Sequence, residues 1–237
     1  MPDPRDTRPR HLQIAADLRA QIASGDLPPH AQLPSTAQLM ARYAAPTSTV
    51  QRALAALKGE GYLVGQAGKG VFVRSVRPIV IDATAYIDPD SGDYRYELLE
   101  VREVLPPADV ARELRLEEDA STVVRRRVLL RDDVPIELSA SYYPSALAAG
   151  TALAKRVKIR GGAPRALADL GYPQRNFTDR VSSRAPTTAE VEALHLPMST
   201  PVIRQLRVIY SDNAYPVEAS VLIKGGHLYE IVYNQDI

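Results

Sequence analysis

A chain of 237 residues is about one and a half times the usual domain length, which favours two modest domains over a single large one. Hydrophobic residues at 45% and charged residues at 24% fit a globular chain with a core and exclude a disordered or fibrous one. The absence of cysteine excludes disulfides, thiolate metal sites and cysteine nucleophiles, and a net charge of +1 by itself predicts no polyanionic partner.

The longest mostly apolar stretch, 146–154, is interrupted by Gly150 and Thr151 and falls far short of the roughly 18 residues of a membrane span. Residues 1–10 carry Asp3, Asp6 and three prolines instead of a secretory pattern, so a cytoplasmic location is the expectation. Residues 1–75 hold nine lysines and arginines against five acids, a net +4, which leaves the remainder at −3. The stretch 76–94 contains Asp88-Pro89-Asp90-Ser91-Gly92-Asp93, rich in turn formers, and reads as a linker. The resulting division is a basic module over 1–75, a linker over 76–94 and a second domain over 95–237, and an excess of basic charge on the first suits a polyanion.

In the basic module, Ile14, Leu18 and Ile22 with Ala15 form one face of a helix over 11–24 that Gly25 can end. Ser35 and Gln38 have capping-box spacing and open a short second helix carrying Leu39, Met40 and Tyr43. After Pro46, Thr47 can cap a third helix whose Val50, Ala53, Leu54 and Leu57 follow helical spacing. Residues 62–64 and 71–73 then read as two strands around a glycine-rich tip. The order is helix-turn-helix followed by a wing. In such a module the start of the third helix meets base edges, which selects Ser48, Thr49, Gln51 and Arg52. Gln51 can make a two-point contact with adenine and Arg52 can reach a phosphate, while Gly68 and Gly70 allow Lys69 to approach the minor groove. The plain alternative is a solvated helix face.

The succession of LPS at 33–35, TVQRALAALKGEGYL at 49–63 and GKGVFV at 68–73 resembles the winged-helix domain of GntR-family transcriptional regulators over nearly all of 11–74. The resemblance implies DNA binding through Ser35, Thr47, Ser48, Thr49, Gln51, Arg52, Gly68, Lys69 and Gly70. This sequence departs from the family pattern in having Ala37, Thr47 and Gln51 where arginines are usual and Thr36 where an acid is usual.

In the second domain, 96–104 reads as a strand passing into a small helix after Pro107. Strands over 123–130 and 135–143 flank the turn pair Asp132-Asp133, and strands over 202–210 and 217–223 flank Ser211-Asp212-Asn213. Helices are expected over 145–156, 164–170 and 188–194, so the class is α+β with an antiparallel sheet.

The segments RRRVLLRDDVP, SASYYP, DRVSSRAPTTAEVEALHLPMSTPV and YPVEAS resemble the UTRA effector-binding domain of the HutC subfamily, which shares a fold with chorismate lyase. The resemblance covers roughly 94–233 and implies a small-molecule pocket whose occupancy changes the geometry of paired DNA-binding domains in a homodimer. Carried over by position, the pocket residues are Arg127, Ser141, Tyr142, Glu218 and Tyr229. Leu129 stands where a second arginine is usual, and Arg125, two residues before Arg127, can supply that cation by the strand period. The alternative for Arg125–Arg127 is charge that discourages edge pairing.

No catalytic constellation or metal site emerges: the histidines are His11, His30, His195 and His227, without metal-binding spacing, and no cofactor is called for. The reading is a DNA-binding transcriptional regulator, a repressor, under small-molecule control. The alternative is a small-molecule-binding protein or chorismate-lyase-like enzyme with a degenerate DNA-binding domain, in which Arg127 and Glu218 handle an anionic substrate.

Overall fold

The computed structural model describes residues 6–74, 79–82, 94–196 and 200–234. The chain divides into two compact units with the boundary between Val80 and Ile81.

The first unit begins with α1 (Arg10–Ser24), ended by Gly25 in the left-handed region at φ 84°. The second helix, α2 (Thr36–Tyr43), starts from a complete capping box: Ser35 Oγ accepts from the Gln38 amide, and the Ser35 amide donates to Gln38 Oε1 at 2.8 Å. The third, α3 (Thr47–Gly59), is capped by Pro46 and not by Thr47, which is its first residue. Pro46 contributes its carbonyl to the amides of Thr49 and Val50, and the Thr47 hydroxyl donates instead to Met40 Sδ at 3.1 Å. The wing is the hairpin of β1 (Leu63–Gln66) and β2 (Gly70–Val73).

Ile14, Leu18, Leu39, Val50, Leu54 and Leu57 meet in one core, closed by Leu63 and Val73 of the wing. The Tyr43 hydroxyl reaches from this core to donate to Asp17 Oδ2 at 2.5 Å, tying α2 to α1. Burial, with the Asp17 hydrogen bond, pushes the Tyr43 phenol up to about 12, so it stays a neutral donor.

Within the stretch expected as linker lies a strand, β3 (Ile79–Asp82); residues 75–78 and 83–93 are outside the described residues. The second unit continues with β4 (Tyr94–Val104), α4 (Ala108–Glu113), β5 (Thr122–Arg131), β6 (Val134–Pro144) and α5 (Ser145–Ala148). After a 3-10 turn at Ala152–Ala154 come α6 (Gly162–Asp169), β7 (Asn176–Arg184), α7 (Thr188–Leu194), β8 (Val202–Tyr210), β9 (Pro216–Gly225) and β10 (Tyr229–Val232). Six strands form an antiparallel sheet in the order β4-β5-β6-β9-β8-β7, and β3 pairs with β10 in a separate two-stranded sheet.

The long helix expected over 145–156 is broken: Gly150 takes φ 76°, and Thr151 caps the 3-10 turn through the Leu153 amide. β7 had no counterpart among the expected strands. Its side chains are exposed along most of its length, as suits an edge strand, so it lacks the alternation that marks a half-buried one.

Helices α5 and α6 cover part of one face of the sheet through Tyr143, Leu147, Leu153 and Leu167. On the opposite face, Val110 of α4 and Leu114, its C-cap, pack against Val124, Tyr142 and Ala219. Side chains alternate between these faces along each strand, which decides the position of every candidate site residue in the sheet.

Candidate functional site

On α3, the buried residues Val50, Ala53, Leu54 and Leu57 take one side, and Ser48, Gln51, Arg52 and Ala55 are exposed on the other. That spacing gathers the expected reading residues into one solvent-facing stripe. Thr47 is exposed at its start and Thr49 is half-buried. Gln51 Nε2 donates to Thr36 Oγ1 on α2 at 3.2 Å, a contact the separate readings of the two positions did not anticipate.

The wing tip is built by local backbone geometry. Gly68 and Gly70 take φ 70° and 116°, and the Lys69 amide donates to the Gln66 carbonyl. Gln32 Nε2 donates to the Lys69 carbonyl at 2.7 Å, fixing the tip from outside the hairpin. A Cβ on Gly70 would stand 2.9 Å from Gln32 Nε2, the movable end of a side chain, so glycine is needed there for φ and a larger residue would also displace the Gln32 brace. Between this tip and the start of α2 is an open cleft of about 560 Å³, with Ser35, Thr36, Gln38 and Lys69 in its walls. Ser35 uses an acceptor lone pair for the cap, which leaves its hydroxyl proton for an outside partner.

In the second unit, a cavity of about 530 Å³ lies against the sheet face that α5 and α6 partly cover, lined among others by Tyr94, Tyr96, Arg125, Arg127, Lys158 and Ala163. Of the six residues expected at the effector pocket, Arg125 and Arg127 line it directly. Arg125 is only 4% exposed. Its Nη1 donates to the carbonyls of Leu153 and Lys155 at 2.9 and 2.8 Å, and its Nη2 to that of Val157 at 2.9 Å. Burial pulls its pKa below the ordinary arginine value; Tyr143 opposes this and the Arg127 charge adds to it. Arg125 thus fastens the cavity wall that it lines beside Arg127, with three donors committed to backbone.

Arg127 lies over the Tyr96 ring, 5.4 Å from its centroid, and donates to Ser141 Oγ at 2.6 Å. Ser141 Oγ meets Ser220 Oγ at 2.7 Å, and Ser220 donates to Glu218 Oε1 at 2.7 Å. Because the Ser220 proton goes to the carboxylate, Ser141 must donate to Ser220 and accept from Arg127. The chain of bonds therefore runs one way, from cation to anion, and joins three of the expected residues. Ser141 and Glu218 are connected to the cavity through Arg127.

Tyr142 is placed otherwise. It pairs with Val124 and Ala219 in the register and packs with Val110 and Leu114 on the opposite face, so the assignment of adjacent Ser141 and Tyr142 to one pocket is corrected by the two-residue strand period. Tyr229, on β10, is 7% exposed, and its hydroxyl has no hydrogen-bond partner among the described residues. Burial, followed by the influence of Glu137, Tyr96 and Tyr94, raises its phenol far above the ordinary value, so it is a neutral donor beside two tyrosines of the cavity wall.

Sequence reasoning missed most of the polar face around this site. Lys224 Nζ contacts Glu137 Oε2 at 2.8 Å and donates to Gln205 Oε1 at 3.0 Å, with both charged side chains almost fully buried. Gln205 donates to Asp179 Oδ2 at 2.8 Å, which also pairs with Arg207 at 2.7 Å. The available signal was Glu137, Ser139 and Ser141 on one strand and Glu218 and Ser220 on another, polar residues two apart inside otherwise apolar segments.

A winged helix-turn-helix with a polar stripe on its third helix, followed by a cavity on an arginine-bearing antiparallel sheet, defines a two-module ligand-responsive DNA-binding protein. The chain belongs to the GntR family of bacterial regulatory proteins, whose model matches residues 10–73, and carries a UTRA domain, matched over 91–230. It is 27% identical over 248 residues to the HTH-type transcriptional regulator SCO4628 of Streptomyces coelicolor, covering 95% of this chain and 92% of that one. It is 24% identical to the HTH-type transcriptional repressor NagR of Bacillus subtilis, covering 96% and 95%. A crystal structure described as a GntR-family transcriptional regulator superposes with a TM-score of 0.67 at 22% identity, over 97% of this chain and 98% of that one. The chain is a transcriptional regulator of the UTRA-bearing GntR type, and the enzyme-like alternative does not fit these relatives. Among the described residues no helix is long and apolar enough to cross a membrane.

Proposed function

We propose that this regulator is a cytoplasmic homodimeric repressor without catalytic activity, whose operator affinity falls or rises with a small molecule held against Arg127. The observation that carries the reading is the exposed Ser48-Gln51-Arg52 stripe on a helix whose other side is fully committed to the core. Such a stripe can enter a major groove without any cost to folding, and Lys69 at a braced wing tip supplies a neighbouring phosphate or minor-groove contact. The DNA-binding residues are Ser35, Thr47, Ser48, Thr49, Gln51, Arg52, Gly68, Lys69 and Gly70, with Thr49 the least accessible.

The effector is a small molecule bearing an anionic or strongly hydrogen-bonding group. Arg127 and Lys158 face it from the cavity wall, Tyr94 and Tyr96 offer apolar surface, and the buried Tyr229 hydroxyl adds a neutral donor nearby. Ser141 and Glu218 position Arg127. The repressor assignment follows the role of the Bacillus relative, and two copies suit a two-fold operator.

The test is fluorescence anisotropy on DNA from upstream of the gene against scrambled DNA, across a salt series. Preference for the upstream duplex, lost when Gln51 and Arg52 are both changed to Ala, supports the reading. Equal binding to both duplexes, followed by no enrichment from random sequences, overturns it.

A further inference from the structure

Two uncharged side chains on neighbouring helices of the winged unit are each other's partner. Gln51 Nε2, on α3, donates to Thr36 Oγ1, on α2, at 3.2 Å. An acid and an arginine in these places would form a charged pair, and the arginine would present several donors and no acceptor. Here the pair is neutral at both ends.

We infer that Gln51 is the base-discriminating residue of this protein, reading the adenine of an A·T pair, with Thr36 as its positioning residue. This rests on the DNA-binding reading above and specifies its partner. The Gln51 amide has two protons and a carbonyl. One proton is engaged by Thr36, which leaves one proton and the carbonyl of an exposed side chain for an outside partner. That donor–acceptor pair complements adenine, whose major-groove edge offers N7 as acceptor and N6 as donor. Guanine offers two acceptors at the corresponding places and is matched by one of the two groups only.

The hydrogen bond to Thr36 matters because a free glutamine side chain loses rotamer freedom on docking. Anchoring the amide across α2 and α3 reduces that loss before the DNA arrives. Thr36 sits in the first turn of a helix set by the Ser35–Gln38 capping box, and its β-branched side chain has few rotamers, so its hydroxyl is a less mobile anchor than the end of a long side chain. Neither residue carries charge, so neither displaces a counterion from the duplex. The salt dependence of binding is therefore assigned to other groups, Arg52 and Lys69 among them.

The experiment is selection of the full-length protein on random duplexes, followed by affinity measurement on the enriched duplex and its single-base variants at several salt concentrations. Wild type is expected to require adenine at one position per bound domain, with about a 5- to 150-fold loss for other bases there. Gln51→Ala should flatten preference at that position alone and leave the salt slope unchanged. Thr36→Val should weaken the preference several-fold while keeping its identity, and Gln51→Arg should move it to guanine.

If Gln51→Ala leaves every positional preference intact, or lowers the salt slope by about one as loss of a phosphate contact would, the assignment fails while the regulator reading stands. If the wild-type protein enriches no sequence at all, the DNA-binding reading fails with it.

Discussion

At the scale of the residue, two arginines two positions apart on one strand have opposite employment. Arg127 faces the cavity and starts a relay through Ser141 and Ser220 to Glu218. Arg125 spends its guanidinium on the carbonyls of Leu153, Lys155 and Val157. The strand period told that both share a face, and could not tell that an irregular segment 30 residues away would claim one of them. Replacing Arg125 by Met should leave three carbonyls without their donor and destabilise the protein by about 3 kcal/mol, read as a lower urea midpoint. The buried Lys224–Glu137 pair gives a sharper case. Lys224→Met alone strands a carboxylate in the core and should cost about 3–5 kcal/mol, whereas Lys224→Met with Glu137→Leu removes both charges and should recover most of that loss. A double-mutant cycle in denaturant checks it; equal losses in the single and double variants would show that packing, and not charge, dominates there.

At the scale of the element, the sequence was most legible where a local chemical rule fixes the backbone. Ser35 with Gln38 and Thr187 with Glu190 each form the capping box that their spacing allows, and Asp132 and Asp133 both take positive φ in the β5–β6 turn. It was least legible where nonlocal packing decides: β7 has no apolar stripe, and the break at Gly150 sits inside a run of good helix formers. The candidate site was legible in part: Arg127 and Ser141 came from the family resemblance, whereas the partnership of Gln51 with Thr36 depends on how two helices cross. The α7 cap supplies a pH-dependent prediction. The Arg184 guanidinium, donating to both oxygens of Glu190, lowers that carboxylate below its ordinary value; burial opposes this and the Thr187 amide reinforces it. A depressed carboxylate contributes stability that is full above its unfolded value and is lost as pH falls through the folded one. Glu190→Gln retains the capping geometry and removes the charge, so it should be less stable than wild type by about 1 kcal/mol at pH 7, a gap that closes as pH falls to 3. Denaturant unfolding at the two pH values measures it, and a gap independent of pH would assign the effect to packing.

At the scale of the whole molecule, the proposed regulation is a coupling free energy between the α3 stripe and the Arg127 cavity. It requires no particular path between them. A ligand can shift operator affinity only by its differential affinity for the DNA-competent and DNA-incompetent states, however tightly it binds either. Thermal stabilisation alone therefore does not identify an effector: a cavity ligand at 100 times its Kd adds about 2.7 kcal/mol whether or not it affects DNA. Reciprocity separates the two kinds. A ligand that weakens operator binding tenfold must itself bind tenfold more weakly to the operator-saturated protein, a coupling of about 1.4 kcal/mol seen from either side. Titrating each stabilising ligand by calorimetry, with the protein free and then saturated with its selected duplex, measures that factor. Replacing Ser141 by Ala removes the group that receives the Arg127 donor, and should reduce ligand affinity about equally in both titrations if the relay only positions the guanidinium. A change in the ratio of the two affinities would instead place the relay within the switch itself, because only a group whose bonding differs between the two states can alter the coupling.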